Sequence, residues 1–276
     1  MTAIFTSLRQ AAGRSRLLAA AGAMATVVLL AGCGTTFDES ATWTPERLLD
    51  EAKEDMRSGN YERAAKLLER LEGRAAGTIV SQQAQLDRAW IMYRTGERAQ
   101  ALSILERFIR LHPTSPALDY ALYLQGLANF NENLGFLSGL SRQDLSERDQ
   151  QAARESYQSF KRLVEQYPNS RYAEDSRQRM NYIVNSLAAY EVHVARYYYR
   201  RGAYVAAVNR AQQAVQDFQQ SPTTEEALYL MVQSYDRLGL EQLRDDTLRV
   251  LKQNFPDSAF LRDGLRTRER SWWQLW

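Results

Sequence analysis

A single cysteine and two histidines serve the whole chain of 276 residues. One thiol cannot close an internal disulfide, so a disulfide scaffold is excluded. His112 and His193 stand far apart in sequence, and no paired-cysteine spacing accompanies them, so no metal site is expected. There is no glycine-rich phosphate loop and no nucleophile elbow. The carboxylates fall on polar helix faces, and the pattern predicts no enzyme and no cofactor. Neither charge sign dominates: 35 basic residues face 33 acidic ones, a formal net of +2. Three of those bases, Arg9, Arg14 and Arg16, lie in the first 32 residues, which hold no acid. Without that segment, 32 bases face 33 acids, a net of −1. A general nucleic-acid-binding surface, which is strongly basic, does not fit.

Long apolar runs are also lacking, with one exception. Leu17 to Leu30 is a nearly unbroken run of 14 residues. It follows the three arginines and ends in Leu30-Ala31-Gly32-Cys33. Basic residues, a short apolar core and a small-residue junction make an export signal over 1–32. The junction resembles the lipobox of bacterial lipoproteins. That resemblance implies cleavage before Cys33, lipidation of Cys33 and a membrane anchor made of several acyl chains. Gly34, where an aspartate would retain the protein, implies the outer membrane and its periplasmic face. The rival reading is an uncleaved transmembrane anchor, for which 14 residues is short. Residues 33–44 are expected to be a short tether.

What the chain does have is a recurring turn. Arg201-Gly202-Ala203-Tyr204 opens an amphipathic stretch. The same grammar recurs at Gly59-Asn60-Tyr61 and Gly96-Glu97-Arg98, and more loosely at Gly239. Gly59 to Gly96 and Gly202 to Gly239 are both 37 residues apart. Closing motifs recur as well: His112-Pro113-Thr114-Ser115, Tyr167-Pro168-Asn169-Ser170 and Phe255-Pro256-Asp257-Ser258, with a variant at Ser221-Pro222-Thr223. The tetratricopeptide repeat (TPR) has a period of about 34 residues, with small residues and a proline at set positions. The unit holding Ala89, Gly96, Ala101, Phe108 and Pro113 follows it. The expected fold is all-α: a TPR superhelix of about five helix-hairpin repeats, near 45–80, 81–115, 116–170, 171–222 and 223–258. Thr44 and Pro45 suit a helix start. The segment from Ala173 to Tyr199, without glycine or proline, is expected to form one bent helix or two.

The domain reading is therefore N-terminal units over 45–170, C-terminal units over 171–258, and a capping helix with a Trp-rich tail over 259–276. An inserted loop, 131–149, interrupts the third unit. Its Leu134, Phe136, Leu137 and Leu140 favour a packed loop at an interface over a bare connector. The tail holds Trp272, Trp273 and Trp276. Capping of the open end of the solenoid, contact with a partner and contact with a membrane interface all remain open for it. Most of the 15 tyrosines read as wedges between helices, and the rest can line a groove for an extended or helical peptide. Arg196, Arg200, Arg201 and Arg210 read either as a solvated basic face or as a surface for an acidic partner.

Several segments go beyond a generic repeat. They are the lipobox, Arg107-Phe108-Ile109-Arg110-Leu111-His112-Pro113, Asp119-Tyr120-Ala121-Leu122-Tyr123-Leu124-Gln125-Gly126-Leu127, and the run from Tyr198 to Arg210. On these the chain resembles the BamD (YfiO/ComL) family, lipid-anchored repeat proteins of the outer-membrane β-barrel assembly machinery. The resemblance implies a non-enzymatic scaffold. Its partners would be a BamA-like outer-membrane barrel protein, other Bam lipoproteins, unfolded outer-membrane proteins and, through the lipid on Cys33, the membrane. It places the substrate groove on the first three units, with Tyr61, Trp90, Tyr93 and Tyr123, and the partner surface on Arg201, Arg210 and Tyr204. Other classes compete: a pilus-assembly pilotin or another periplasmic TPR adaptor lipoprotein, and a cell-wall enzyme carrying a repeat domain.

Overall fold

The computed structural model describes residues 39–130 and 147–265. Cys33, most of the 131–149 insertion and the Trp-rich tail lie outside the described residues. A 3-10 turn at Glu39–Thr42 precedes α1 (Pro45–Ser58), α2 (Tyr61–Arg74), α3 (Ile79–Arg94), α4 (Arg98–Leu111), α5 (Leu118–Asn129) and α6 (Glu147–Gln166). Then come α7 (Ala173–Arg200), α8 (Tyr204–Asp217), α9 (Thr224–Arg237), α10 (Glu241–Asn254) and the short α11 (Ala259–Asp263). Among the described residues there is no strand. The chain divides into two compact units at Leu48 and Leu49. In the first, the Thr44 hydroxyl accepts from the Arg47 amide at 3.3 Å, the N-cap expected there.

In the second unit, helices pack in chain order from α2 to α10, and α3 also meets α5 as α7 meets α9. This is the TPR arrangement: antiparallel hairpins stacked so that the first helix of each touches the first helix of the next. The four recurring glycines close the hairpins. Gly59, Gly96, Gly202 and Gly239 have φ of 84°, 84°, 76° and 70°. Each amide donates to the carbonyl three residues back, and the following amide to the carbonyl five back. In the third of these turns, Gly202 bonds Tyr199 at 3.0 Å and Ala203 bonds Tyr198 at 3.0 Å. That is the Schellman motif, which satisfies the last carbonyls of the first helix and needs a residue free to adopt positive φ.

The proline motifs close the other edge. The Ser115 amide donates to His112 O at 3.1 Å, and those of Ser170, Ser221 and Ser258 donate likewise to Tyr167, Phe218 and Phe255. Two of these serines also reach back to the preceding first helix. Ser115 Oγ donates to Gln82 Oε1 at 2.8 Å and Ser170 Oγ to Asp119 Oδ2 at 2.7 Å. Between the two edges lies the core, with Leu68, Leu71, Leu86, Leu105, Phe108 and Phe160 under 2% exposed.

Two details differ from expectation or settle it. The boundary expected between 45–80 and 81–115 falls earlier, because the Thr78 hydroxyl accepts from the Ser81 amide and starts α3 at Ile79. The segment from Ala173 is a single helix of 28 residues. Its second half is held on α8 and α9 by the cluster of Val192, Ala195, Val208, Ala211 and Leu230.

The insertion does not separate the third hairpin, because α5 and α6 approach closely at Gly126. A Cβ there would lie 2.5 Å from Phe160 Cε1. Phe160 is fully buried and has no room to turn away. Ser156 Oγ also donates to the Gly126 carbonyl at 2.8 Å. Gly126→Ala is therefore expected to destabilise by about 1–3 kcal/mol through overpacking, despite alanine's better helix propensity. Urea unfolding of the variant checks this, and a gain in stability would contradict the packing described.

Candidate functional site

The first helices of successive hairpins line one face of the second unit. Near its start, Lys53, Met56 and Arg57 of α1 and Gln83, Asp87 and Trp90 of α3 enclose an open depression of about 370 Å³. Trp90 is its apolar wall. Tyr61, at the start of α2, meets Trp90 edge-on with ring centres 5.9 Å apart at 72°. The Arg94 guanidinium lies over the indole, 5.8 Å from its ring centre. Tyr93 is half-buried on the same helix. The structure thus brings Tyr61 and Trp90 together.

Tyr123 belongs to a second cluster, one hairpin on. Its ring stacks on Tyr172 at 4.6 Å and 17°, and Tyr120 meets Tyr172 at 5.6 Å. Its hydroxyl donates to Asp175 Oδ2 at 2.8 Å, and Arg179 Nε donates to the same oxygen at 2.6 Å. Burial, and then the bond to Asp175, push the Tyr123 phenol up to about 12. It stays protonated and works as a donor. Tyr120 is raised too, first by burial and then by the charge of Asp87.

Asp87 accepts from Gln83 Nε2 at 2.7 Å. Burial nevertheless raises its carboxyl above the usual range, while the Gln83 bond and the Lys53 charge oppose the rise. Lys53, Asp87, Tyr172, Asp175 and Arg179 were not singled out from sequence, and Tyr120 only as part of a family-like segment. The usable signal was the spacing of Asp87 three residues before Trp90, and of Tyr120 three before Tyr123, which puts each pair on one helix face.

The far end carries the arginines. Arg201 is exposed, with its guanidinium 5.5 Å from the ring centre of Tyr197, itself 51% exposed. Tyr204 is half-buried and tilts against Tyr199 at 5.6 Å. Arg210 is engaged within the chain: Nη1 donates to Glu191 Oε2 at 3.1 Å, and the glutamate side chain is only 3% exposed. Arg196 Nε likewise donates to Glu226 Oε1 at 2.6 Å. Arg196, Arg200, Glu226 and Phe260 border a depression of about 260 Å³. Arg201 and Arg210 thus differ in kind, one free on the surface and one holding a buried carboxylate. Among the described residues no cluster of histidine, cysteine and carboxylates is placed to hold a metal ion.

Residues 42–251 match the family model described as YfiO, outer membrane lipoprotein. The chain belongs to this family. It is 46% identical over 253 residues to the outer membrane protein assembly factor BamD of Neisseria meningitidis serogroup A, covering 90% of this chain and 95% of that one. Similarity extends to BamD of Xylella fastidiosa Temecula1, at 36% over 87% of this chain and 82% of that one. It reaches BamD of Vibrio cholerae at 33%, over 82% of this chain and 94% of that one. Among solved structures, the crystal structure of MamA protein is similar at a TM-score of 0.36 and 15% identity, over 76% of this chain and 88% of that one. That level is too low for any correspondence between sites.

Asp87→Asn tests what the buried charge costs. A carboxyl raised in the folded state disfavours folding above its folded pKa. The penalty fades as pH falls from there to the unfolded value of about 3.9. The asparagine variant, which keeps the Gln83 contact, is expected to be more stable than the parent at pH 7, with the gain vanishing near pH 4. Thermal unfolding across that range checks it, and a loss of stability at pH 7 would contradict the burial argument.

Proposed function

We propose that this protein is a non-enzymatic, lipid-anchored scaffold in outer-membrane protein assembly, anchored through Cys33 on the periplasmic face of the outer membrane. The observation that carries the reading is family membership over 42–251, which spans the described hairpins almost completely. Relatives named as outer membrane protein assembly factors support the role. In this reading the groove of the first three hairpins receives unfolded outer-membrane proteins. The Tyr61–Trp90 pair offers a flat apolar surface, Lys53 and Arg57 offer cations, and Asp87 and Asp175 offer acceptors. An extended segment with alternating apolar and polar residues finds both kinds of partner there. The hairpins from α7 onward hold a BamA-like barrel protein, with Arg201, Tyr197 and Tyr204 on the contact surface. Accessory lipoproteins of the same machinery are the further partners.

The two arginines give distinguishable outcomes. Arg201→Glu is expected to weaken co-purification of an integral barrel protein from detergent-solubilised envelopes while leaving the melting temperature unchanged. Arg210→Ala strands the buried Glu191. It is expected to destabilise by up to about 3 kcal/mol, the low end for breaking a buried pair because Arg210 stays partly hydrated. Recovery of a pilus secretin instead of a barrel-assembly partner would replace this reading with the pilotin alternative. For the groove, Trp90→Ala is expected to weaken binding of an unfolded barrel-protein peptide about tenfold, the scale of an aromatic anchor. Unchanged binding by fluorescence anisotropy would remove Trp90 from the site.

A further inference from the structure

Aligning the second helices on their turn glycines shows that the last one is different. At the position one after the glycine stand Asn60, Glu97 and Ala203 in the earlier hairpins, but Leu240 in α10. Four after it stand Arg63, Gln100 and Ala206, but Leu243. Eleven after it stand Arg70, Arg107 and Gln213, but Val250. Leu240, Leu243 and Val250 are 44%, 47% and 43% exposed. With Thr247 they form one stripe beside the buried Leu251. A side chain becomes apolar here where the internal repeats are mostly polar, and nothing described covers it.

The chain after α10 begins as the internal units do. The Ser258 amide turns back on Phe255 O and its hydroxyl caps Leu261, starting α11 against α9. This is the first turn of another first helix, stopped at Gly264, where φ is 71°. A full first helix at this place would cover the α10 stripe, and five residues cannot. Leu265 packs against the cluster of α7, α8 and α9. Eleven residues follow it in the sequence. Extended, they reach about 36 Å, against about 21 Å for the length of α10. They include Arg266, Arg268, Glu269 and Arg270, and on α10 Asp245 and Asp246 are already paired with Arg244 and Arg249. They also include Trp272, Trp273, Leu275 and Trp276.

We infer that the Trp-rich tail docks in cis on the Leu240–Leu243–Val250 stripe of α10 and stands in for the missing first helix. Reach and matching apolar character select the tail, tethered at Leu265, over a second copy or a lipid surface. Cross-linking tests this in the chain from residue 33 with Cys33→Ser. Val250→Cys is paired with Trp273→Cys, and Leu243→Cys with Trp276→Cys. Lys252→Cys, exposed and turned away from the stripe two residues after Val250, is paired with Trp273→Cys as the control. Mild oxidation is expected to give an intramolecular disulfide in at least one stripe pair, insensitive to dilution, and none in the control. Equal yield in the control, or bridges only between molecules, would overturn the proposal. So would protection of the stripe cysteines that appears only with phosphatidylethanolamine–phosphatidylglycerol vesicles. A second readout does not depend on disulfide geometry. Leu243→Glu with Val250→Glu, and alanine at all three tail tryptophans, are each expected to lower the melting temperature by about 2–4 °C. Combined, they should lower it no further than the larger alone; a full sum would show that tail and stripe do not touch.

Discussion

The structure depends on a glycine held at positive φ between two antiparallel helices. Each such turn ends one helix without orphaned carbonyls and reverses the chain within a few residues. The next helix is thereby forced back along the first, with its apolar stripe facing inward. Alanine stands five residues after the glycine in three of the four turns, as Ala64, Ala101 and Ala207, all fully buried. No single hairpin can bury its whole apolar surface, so each needs its neighbour. Stability of such an array is spread along it, and its two ends are the places where apolar surface is left to manage.

Charge is handled in a similarly local way. Glu72 binds Arg88 at 2.9 Å and Arg107 at 3.1 Å, joining three helices. Glu191 and Glu226 each take an arginine from a neighbouring helix. These largely buried carboxylates tie neighbouring helices together through their arginines. Arg201, by contrast, keeps its charge on the surface beside an exposed tyrosine. A cluster of arginines in sequence is thus divided by packing into members that pair with buried glutamates and one that stays exposed. The same division separates Tyr123, locked by stacking and a hydrogen bond, from the Tyr61–Trp90 pair that borders an open depression.

The stack of hairpins was legible early because its signals are local. The glycine turns, the proline motifs and the apolar spacing each act within a few residues. Boundaries were less so. Thr78 started α3 sooner than composition suggested, because one hydroxyl cap decides a helix start. The candidate groove was half legible. Trp90 and Tyr61 stood out as large aromatics, but Tyr172 and Asp175 join Tyr123 from about fifty residues away, and no local pattern carries that pairing.

The sequence by itself determined the helix hairpins, their order, and the helical character of the described residues. Those follow from backbone preferences and from periodicities that a few residues express on their own. Only the tertiary structure decided which arginine is spent on a buried glutamate and which tyrosines stack. It also decided which apolar residues of α10 are exposed among the described residues, and that Gly126 must stay without a side chain. These are outcomes of distance between residues far apart in the chain. In a close-packed interior they are set by which side chain fills the remaining space.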